Sequence, residues 1–174
     1  MSNIKDLFEL TKELSLLYVE DDKVLQEEMA NVFKDLFKKV YTADDGVKGL
    51  ELYQNFHEKN GHHFDLVITD INMPHMNGIE LCENITGINQ DQVIIVVSAH
   101  NESEYLFKLI NLGITYFILK PVNMDKLINI LKKTAKVIQT DQRARLEQEK
   151  ILSENSDLTM ANEELEQQVR AEMY

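Results

Sequence analysis

Four apolar stretches of the sequence are each followed directly by a side chain that could bind a metal ion or a phosphate group. The stretches are short and rich in β-branched residues, which is typical of buried strands. The side chains that follow them are Glu20 and Asp21, Asp70, Ser98, and Lys120. In open α/β sheets, ligands bind beyond the carboxyl ends of the strands, because the loops diverge there and leave a crevice.

The three carboxylates in this set predict a divalent cation. Glu20, Asp21 and Asp70 would repel one another at one edge of a sheet unless a positive charge lay between them. Hard oxygen ligands favour Mg²⁺, which takes one or two carboxylates and leaves positions for water and phosphate oxygens. The pattern therefore predicts a phosphoryl-transfer site rather than a storage site for the metal.

The remaining chemistry follows from the types of side chain. A carboxylate such as Asp70 can act as a nucleophile and form an acyl phosphate. Lys120 would supply a positive charge to phosphate oxygens, and the hydroxyl of Ser98 would supply one hydrogen bond. Each residue alone also has an ordinary structural explanation, as a helix cap, a solvated charge or a turn residue. Their joint occurrence at successive strand ends favours the functional interpretation.

Helices and strands that alternate along the chain would bring these residues together. Between residues 14 and 135, five predicted strands alternate with five helical patterns, so the sheet is parallel and doubly wound, with helices on both faces. Right-handed crossovers place the carboxyl ends of all strands at one edge. The predicted strands are 14–19, 39–42, 66–69, 93–97 and 114–119. The helices begin near residues 23, 45, 79, 102 and 124, and the one that begins at Ile79 ends at Ile85. A further short helix is predicted at 3–12.

Composition narrows the range of functions. The first 123 residues carry 20 acidic and 10 basic side chains, and the last 51 carry 10 and 8, which together give the net charge of -12. This acidic front part argues against nucleic-acid binding and favours cations or basic partners. The single cysteine, Cys82, excludes an internal disulfide. Without an apolar run long enough to span a membrane or a signal-peptide core, we expect a cytoplasmic protein with no membrane partner.

Residues 13–135 resemble the receiver domain of two-component response regulators. The motifs occur in the expected order, namely Tyr-Val-Glu-Asp-Asp at 18–22, Thr-Asp-Ile-Asn-Met-Pro-His-Met-Asn-Gly at 69–78, Val-Ser-Ala at 97–99 and Leu-Lys-Pro at 119–121. The resemblance implies a flavodoxin-like sheet of order 2-1-3-4-5. It also implies a signalling domain that accepts a phosphoryl group from a histidine kinase or a phosphotransfer protein. Such a domain is not an enzyme beyond its own phosphorylation and dephosphorylation.

The resemblance assigns a role to each motif position. Asp70 is the phosphoacceptor, Ser98 the switch hydroxyl and Lys120 the phosphate-contacting lysine, and a cis bond precedes Pro121. Glu20 and Asp21 are the acidic pair, with Asp21 as the direct Mg²⁺ ligand, and the backbone carbonyl of Asn72 is a further ligand.

Two positions depart from the commoner family pattern. The acidic pair begins with Glu20 rather than Asp, which could lengthen a water-mediated metal contact. The switch aromatic is Phe117, where Tyr is common, so the outward state of the ring lacks a hydroxyl to anchor it. The face expected to respond to phosphorylation consists of the fourth receiver helix, the fifth strand and the fifth receiver helix.

Two other classes of protein remain as alternatives. A phosphatase of the haloacid-dehalogenase type also uses a Mg²⁺-bound aspartyl nucleophile. The motif of that class resembles Asp-x-Asp, whereas here Asn72 stands two residues after Asp70. The chain is also too short for its cap domain. A phosphorylation-independent interaction module would retain the fold only, and loss of Asp70 or Lys120 would favour it.

The last part of the chain predicts a parallel coiled coil. After an N-terminal extension at 1–12 and the receiver at 13–135, residues 136–174 lack Pro and Gly, and a helix from Met124 to Met173 would span roughly 75 Å. A seven-residue repeat places apolar residues at d and mostly polar ones at a. The d positions are Val137, Ala144, Ile151, Leu158 and Leu165, and the a positions are Asp141, Gln148, Asn155, Asn162 and Val169. This predicts a homodimer that leads to an output domain beyond this chain, with a solvated single helix as the alternative.

Overall fold

The computed structural model describes residues 2–99 and 103–173. Within these ranges, five strands and six helices alternate. The strands are β1 (Ser15–Val19), β2 (Lys39–Ala43), β3 (Leu66–Asp70), β4 (Ile94–Ser98) and β5 (Tyr116–Leu119). The helices are α1 (Ser2–Thr11), α2 (Lys23–Lys34), α3 (Gly46–Asn60), α4 (Gly78–Ile88), α5 (Ser103–Asn111) and α6 (Met124–Glu172). The predicted start of the fourth receiver helix, Glu102, lies outside the described residues.

The strands form one parallel sheet in the order β2-β1-β3-β4-β5. This confirms the predicted fold class and strand order. Strands β1, β3 and β4 are buried along their whole length, whereas the edge strands β2 and β5 are partly exposed. The difference agrees with their sequences, because strands covered on both faces consist of continuous apolar runs.

Helices cover both faces of the sheet. One face packs with α3, α4 and α5 around a core that includes Val19, Val67 and Val96. On the other face, Tyr18 packs edge-on against Phe33 of α2, with ring centroids 5.2 Å apart. Alternation along β1 explains why Tyr18 and Val19 face opposite layers.

Two aspartates and a glycine set the ends of the helices that follow β1 and β2. The side chain of Asp22 accepts hydrogen bonds from the backbone of Val24 and Leu25 and caps α2. Asp45 caps α3 in the same way, and Gly61, with φ of 74°, ends it. Since Asp22 serves as the cap, Glu20 and Asp21 are left for another role.

The N-terminal helix α1 is anchored by buried side chains. Leu7 and Thr11 are both fully buried, and the hydroxyl of Thr11 lies 2.8 Å from the backbone carbonyl of Leu36. Asp6 also forms an ion pair with Lys132 of α6, at 3.6 Å. The predicted short amphipathic helix is therefore present.

The chain divides into two compact units, Met1–Lys136 and Val137–Tyr174, so the division falls within α6. In the first unit, Leu127, Leu131 and Ala135 of α6 are buried at helical spacing. In the second unit, every described side chain from Thr140 onward is exposed. Among the helices that the structure describes, none combines the length and apolar character needed to cross a membrane.

Candidate functional site

Glu20, Asp21 and Asp70 meet at the carboxyl edge of the sheet. One carboxylate oxygen from each residue lies within 4.8 Å of those of the other two. The pairing of β1 with β3, in which Val19 lies opposite Thr69, brings the ends of the two strands side by side. Glu20 and Asp70 are buried, at 1% and 5% exposure, whereas Asp21 is exposed. The predicted convergence of the three carboxylates is thus present.

Lys120 lies against two of these carboxylates. Its Nζ is 3.0 Å from Oε2 of Glu20 and 3.4 Å from Oδ2 of Asp70. Its backbone N–H donates to the carbonyl of Ser98, at 2.8 Å, which ties the end of β5 to the end of β4. The peptide bond between Lys120 and Pro121 is cis, as predicted. One ammonium group therefore faces two carboxylates, and the third carboxylate of the group, that of Asp21, adds a further negative charge when ionised.

The pKa values of the site reflect burial opposed by this ammonium group. Burial raises the pKa of Glu20 and of Asp70, although the neighbouring Lys120 acts to lower both. Burial acts to lower the pKa of Lys120, but the hydrogen bond to Glu20 and the charge of Asp70 raise it overall. The two buried carboxylates are thus held at an electrostatic cost that a further cation would relieve.

The donor set fits Mg²⁺. It consists of carboxylate oxygens, which are the hard ligands that this ion prefers, and it includes an exposed member, Asp21. No sulfur or imidazole ligand belongs to this group of residues. Asn72, which the resemblance implies as a carbonyl ligand, is exposed two residues after Asp70. Its role as a ligand stays a prediction.

The loop from β3 to α4 folds back tightly on Asp70. The N–H of Gly78 donates to the carbonyl of Ile71, at 2.8 Å. A Cβ atom at position 78 would lie 2.0 Å from the carbonyl oxygen of Asp70, so only glycine fits there. His75, in the middle of the loop, has a φ of 68°. The sequence indicated a loop between Pro74 and Gly78, but this close approach of two backbones could not be predicted from it.

The two predicted switch residues differ in their surroundings. Ser98 is buried at the end of β4, opposite Leu119, and directly follows Val97, which pairs with Asp70 of β3. Phe117 lies on the edge strand β5 and is 41% exposed. Phe117, three residues before Lys120, is therefore accessible to solvent, whereas Ser98 is not.

Two further residues near the acidic group were not predicted. Gln26 of α2 is buried, and its side-chain amide donates to the backbone carbonyl of Glu20. Burial raises the pKa of Tyr18, and the negative charges of Glu20 and Asp70 raise it further. In the sequence, Gln26 appears as an ordinary polar position in a helix. Tyr18 belongs to the first motif, but the motif assigned no role to it.

Comparisons with known proteins identify the family of this chain. The family model described as the response regulator receiver domain matches residues 16–132. The two-component response regulator ARR12 of Arabidopsis thaliana is 32% identical over 128 residues, which are 74% of this chain and 21% of that protein. A cyclic di-GMP phosphodiesterase of Thermotoga maritima is 33% identical over 114 residues, which are 66% of this chain and 29% of that protein. The chain thus spans less than a third of either relative.

A solved structure adds to these similarities. The chain is similar, at 28% identity and a TM-score of 0.59, to a chain in the crystal structure of the CheX–CheY–BeF3–Mg²⁺ complex from Borrelia burgdorferi, and the match covers 67% of this chain and 84% of that one. The family model covers more than half of the present sequence, and both the strand order and the acidic edge agree with it. The chain therefore belongs to the response regulator receiver domain family.

Proposed function

We propose that this receiver accepts a phosphoryl group on Asp70 from the phosphohistidine of a histidine kinase or a phosphotransfer protein. The observation that carries the proposal is the position of Asp70, whose buried carboxylate lies beside two other carboxylates and 3.4 Å from Lys120. The complex of Borrelia CheY with BeF3 and Mg²⁺ supports the same ligand chemistry for this chain. A cytoplasmic location belongs to the proposal, since the one cysteine, Cys82, is free and buried.

In the proposed reaction, a carboxylate oxygen of Asp70 attacks the phosphorus atom of the donor. The bond between phosphorus and the imidazole nitrogen breaks, and the nitrogen keeps the electron pair. A new oxygen–phosphorus bond gives the acyl phosphate, which water later hydrolyses to restore the carboxylate. The Lys120 ammonium, now 3.0 Å from Glu20, would contact the phosphoryl oxygens.

The metal would be held by Asp21, by Asp70 and by the carbonyl of Asn72, with Glu20 in contact directly or through water. When bound, Mg²⁺ neutralises the charge that develops on the transferred phosphoryl group. The chain's own residues supply the geometry, because the ends of β1 and β3 fix Glu20 and Asp70 on neighbouring strands. Burial of both side chains excludes most of the competing water.

We further propose that phosphorylation changes the surface formed by α5, β5 and the start of α6. An acyl phosphate would draw the hydroxyl of Ser98 toward Asp70 and vacate space into which Phe117 can turn. Apolar side chains already exposed on these elements include Phe107, Ile110 and Leu119. A surface of this kind suits a protein partner that distinguishes the two positions of Phe117.

The helical tail is proposed to join two receivers as a parallel coiled coil. At the d positions of the repeat, Ile151, Leu158 and Leu165 are each more than half exposed in the single chain. A second copy would bury these apolar side chains, and the polar a positions would keep the coil weak and in register. The tail would then carry the state of the receivers to an output domain. The lengths of the two relatives support an output domain, because the matched part covers only 21% of one relative and 29% of the other.

Phosphorylation with a small phosphodonor tests the central proposal. In the presence of Mg²⁺ and acetyl phosphate, intact-mass analysis is expected to show one phosphate adduct, and Asp70→Asn should abolish it. Asp65→Asn is the matched control, because Asp65 is a partly buried aspartate directly before β3, at the opposite edge of the sheet, where it accepts hydrogen bonds from the N–H and the hydroxyl of Ser15. That control should be labelled like the wild type. Labelling of Asp70→Asn at the wild-type level would show that the phosphoacceptor has been assigned wrongly.

A further inference from the structure

Gln26 is a buried amide between two loops of the acidic edge. Its side chain is 6% exposed, and its Nε2 lies 2.7 Å from the carbonyl oxygen of Glu20 and 2.8 Å from that of Ala43. The carboxylate of Asp44 lies 3.3 Å from the same nitrogen. An amide group has two N–H donors, so both can be directed at the two buried carbonyls. The side chain thus links the loop after β1 to the end of β2.

The position of Gln26 in α2 makes this link a tertiary one. Asp22 caps the helix, and its carbonyl accepts from the backbone N–H of Gln26 at 2.8 Å. The side chain of Gln26 then reaches back past the cap to Glu20, the first residue of the turn. The backbone N–H of Glu20 also donates to the carbonyl of Ala43, at 3.1 Å. The N–H of Glu20 is therefore bonded directly to the end of β2, and its carbonyl is linked to the same strand end through the side chain of Gln26.

The loop after β2 is itself held firmly. Asp44 forms ion pairs with Lys23 and with Lys48, and these two lysines hold the pKa of Asp44 well below its usual range. One residue further on, Asp45 caps α3. The loop is therefore tied to both α2 and α3, and Gln26 links the acidic turn to it.

The same segment of the chain also reaches the loop that carries Asp70. The N–H of Gly46 donates to the carbonyl of Met76, at 3.1 Å. A Cβ atom at position 46 would lie 2.4 Å from that oxygen, so the two backbones are in direct contact. Met76 belongs to the loop between β3 and α4, and this loop directly follows Asp70. The turn with Glu20 and the loop with Asn72 are thus both anchored to the segment from Ala43 to Gly46.

We infer that Gln26 is a positioning residue for the metal, which holds the Glu20–Asp22 turn so that its carboxylates face Asp70. This inference rests on the proposed function, because it assigns a role to Gln26 only if the acidic group binds Mg²⁺. Mg²⁺ demands near-ideal octahedral geometry, so a small displacement of a ligand weakens its binding. Partners that orient metal ligands typically contribute tenfold or more to metal affinity. Gln26 acts on the backbone of the turn, and we expect an effect of about tenfold.

Gln26→Met is the variant that tests this role. Methionine has nearly the length and volume of glutamine but lacks the N–H donors. The matched control is Gln92→Met. Gln92 is also a buried glutamine of this domain, which accepts from the Tyr53 hydroxyl at 2.7 Å and donates to the carbonyl of Val93 at 3.2 Å. Both substitutions remove a buried amide and should lower the melting temperature, so loss of stability alone does not distinguish them.

The readout is the Mg²⁺ dissociation constant of the full chain, measured from amide chemical shifts in a titration with MgCl2 without a phosphodonor. We expect Gln26→Met to raise it about tenfold and Gln92→Met to leave it within about twofold of the wild type. If the Mg²⁺ dissociation constant of Gln26→Met equals that of the wild type, the inference is overturned and the proposed function stays intact. A wild-type protein that binds no Mg²⁺ would overturn both.

A second variant covers the case in which Gln26→Met does not fold. Gln26→Asn keeps a buried amide but draws its nitrogen back by one methylene, out of reach of the two carbonyls. We expect its Mg²⁺ dissociation constant to rise as well, with the largest shift differences in the metal-free protein at Glu20, Asp21 and Asp22. A constant equal to that of the wild type would overturn the inference.

Discussion

The ammonium nitrogen of Lys120 lies 3.0 Å from Oε2 of Glu20, and this is the shorter of its two contacts with the acidic group, since Asp70 lies at 3.4 Å. Glu20 is almost fully buried, and the side chain of Lys120 is 22% exposed. Removal of one partner from a buried ion pair leaves a charge without compensation, and this costs more than the pair itself contributes. Lys120 therefore has a structural role beside its proposed contact with phosphate.

A double-mutant cycle measures that role. Lys120→Met should lower the free energy of unfolding by about 2 kcal/mol or more at pH 7, because it leaves the Glu20 carboxylate buried without its ammonium partner. In the double variant with Glu20→Gln, most of the loss should be recovered. Urea denaturation of the four proteins gives the coupling energy. If the two substitutions are additive, the contact contributes nothing to stability.

Gly78 provides a test of the loop that carries Asp70. In Gly78→Ala, the new methyl group would meet the carbonyl oxygen of Asp70 at 2.0 Å, so the loop must move. We expect a loss of stability of about 2 kcal/mol or more and slower labelling by acetyl phosphate. Gly87→Ala is the control in the same helix, α4, because nothing lies within 4 Å of a Cβ atom there.

The control should change stability in the opposite direction. Alanine is the better helix former, so Gly87→Ala should stabilise the protein by up to about 1 kcal/mol and leave the labelling rate unchanged. Chemical denaturation and intact-mass time courses measure both effects. Equal stability of the two variants would mean that the loop accommodates a side chain at position 78, in contradiction to the close approach described above.

Much of this site could be predicted from the sequence, because its parts follow from local patterns. Buried strands appear as apolar runs, and the acidic residues at their ends were sufficient to place Glu20 and Asp70 at one edge. The contacts of Gln26 and Gly78 could not be predicted, since each depends on two backbones that are brought together only by the pairing of strands. Boundaries also shifted: α4 was predicted to end at Ile85 but continues to Ile88. Buried Cys82 and Ile85 stabilise this helix through its apolar face, and tertiary packing outweighs the low propensity of Gly87.

The surroundings of His63 predict how the free energy of unfolding depends on pH. Its ring stacks on His57, with centroids 4.0 Å apart, and on Tyr53, at 4.9 Å. Within the described residues, its Nδ1 is buried without a hydrogen-bond partner. Burial lowers the pKa of His63, and the neighbouring His57 and His62 lower it further. The folded protein thus binds a proton at this position less readily than the unfolded chain does.

The sign of the pH effect follows from linkage. Because the folded pKa of His63 lies below the ordinary value of 6.5, stability should fall as the pH falls through 6.5 toward that lower value. His63→Phe keeps the stacked packing and removes the titrating group. The variant should therefore lose less stability than the wild type between pH 7.5 and 5.5, as measured by urea midpoints. His75→Asn, at an exposed position of the loop after β3, should show the same pH dependence as the wild type. If all three proteins lose the same stability between pH 7.5 and 5.5, His63 is excluded as the cause of the pH dependence.

The polar a positions of the tail allow a substitution that should strengthen the coiled coil. A buried Asn at a lowers the stability of a two-stranded coil but fixes its register, so an apolar replacement should strengthen association. Asn155→Ile is therefore expected to raise the affinity between chains by about tenfold or more. Ser153→Ile adds the same side chain at a position away from the a and d residues and should leave the affinity unchanged. Val169 is already apolar at an a position of the proposed repeat.

Sedimentation of the whole chain decides between a dimer and a solvated single helix. The exposed d residues Ile151, Leu158 and Leu165 lie beyond Thr140, so a chain that ends at Thr140 should be a monomer. The full chain should instead associate at roughly tens of micromolar, because each heptad buries apolar area only when a second helix is present. Asn155→Ile should associate at a lower concentration than the wild type. Addition of beryllofluoride and Mg²⁺ shows whether the state of Asp70 changes the association. A full chain that stays monomeric at these concentrations, with and without beryllofluoride, would exclude the coiled-coil dimer and leave the tail as a single solvated helix.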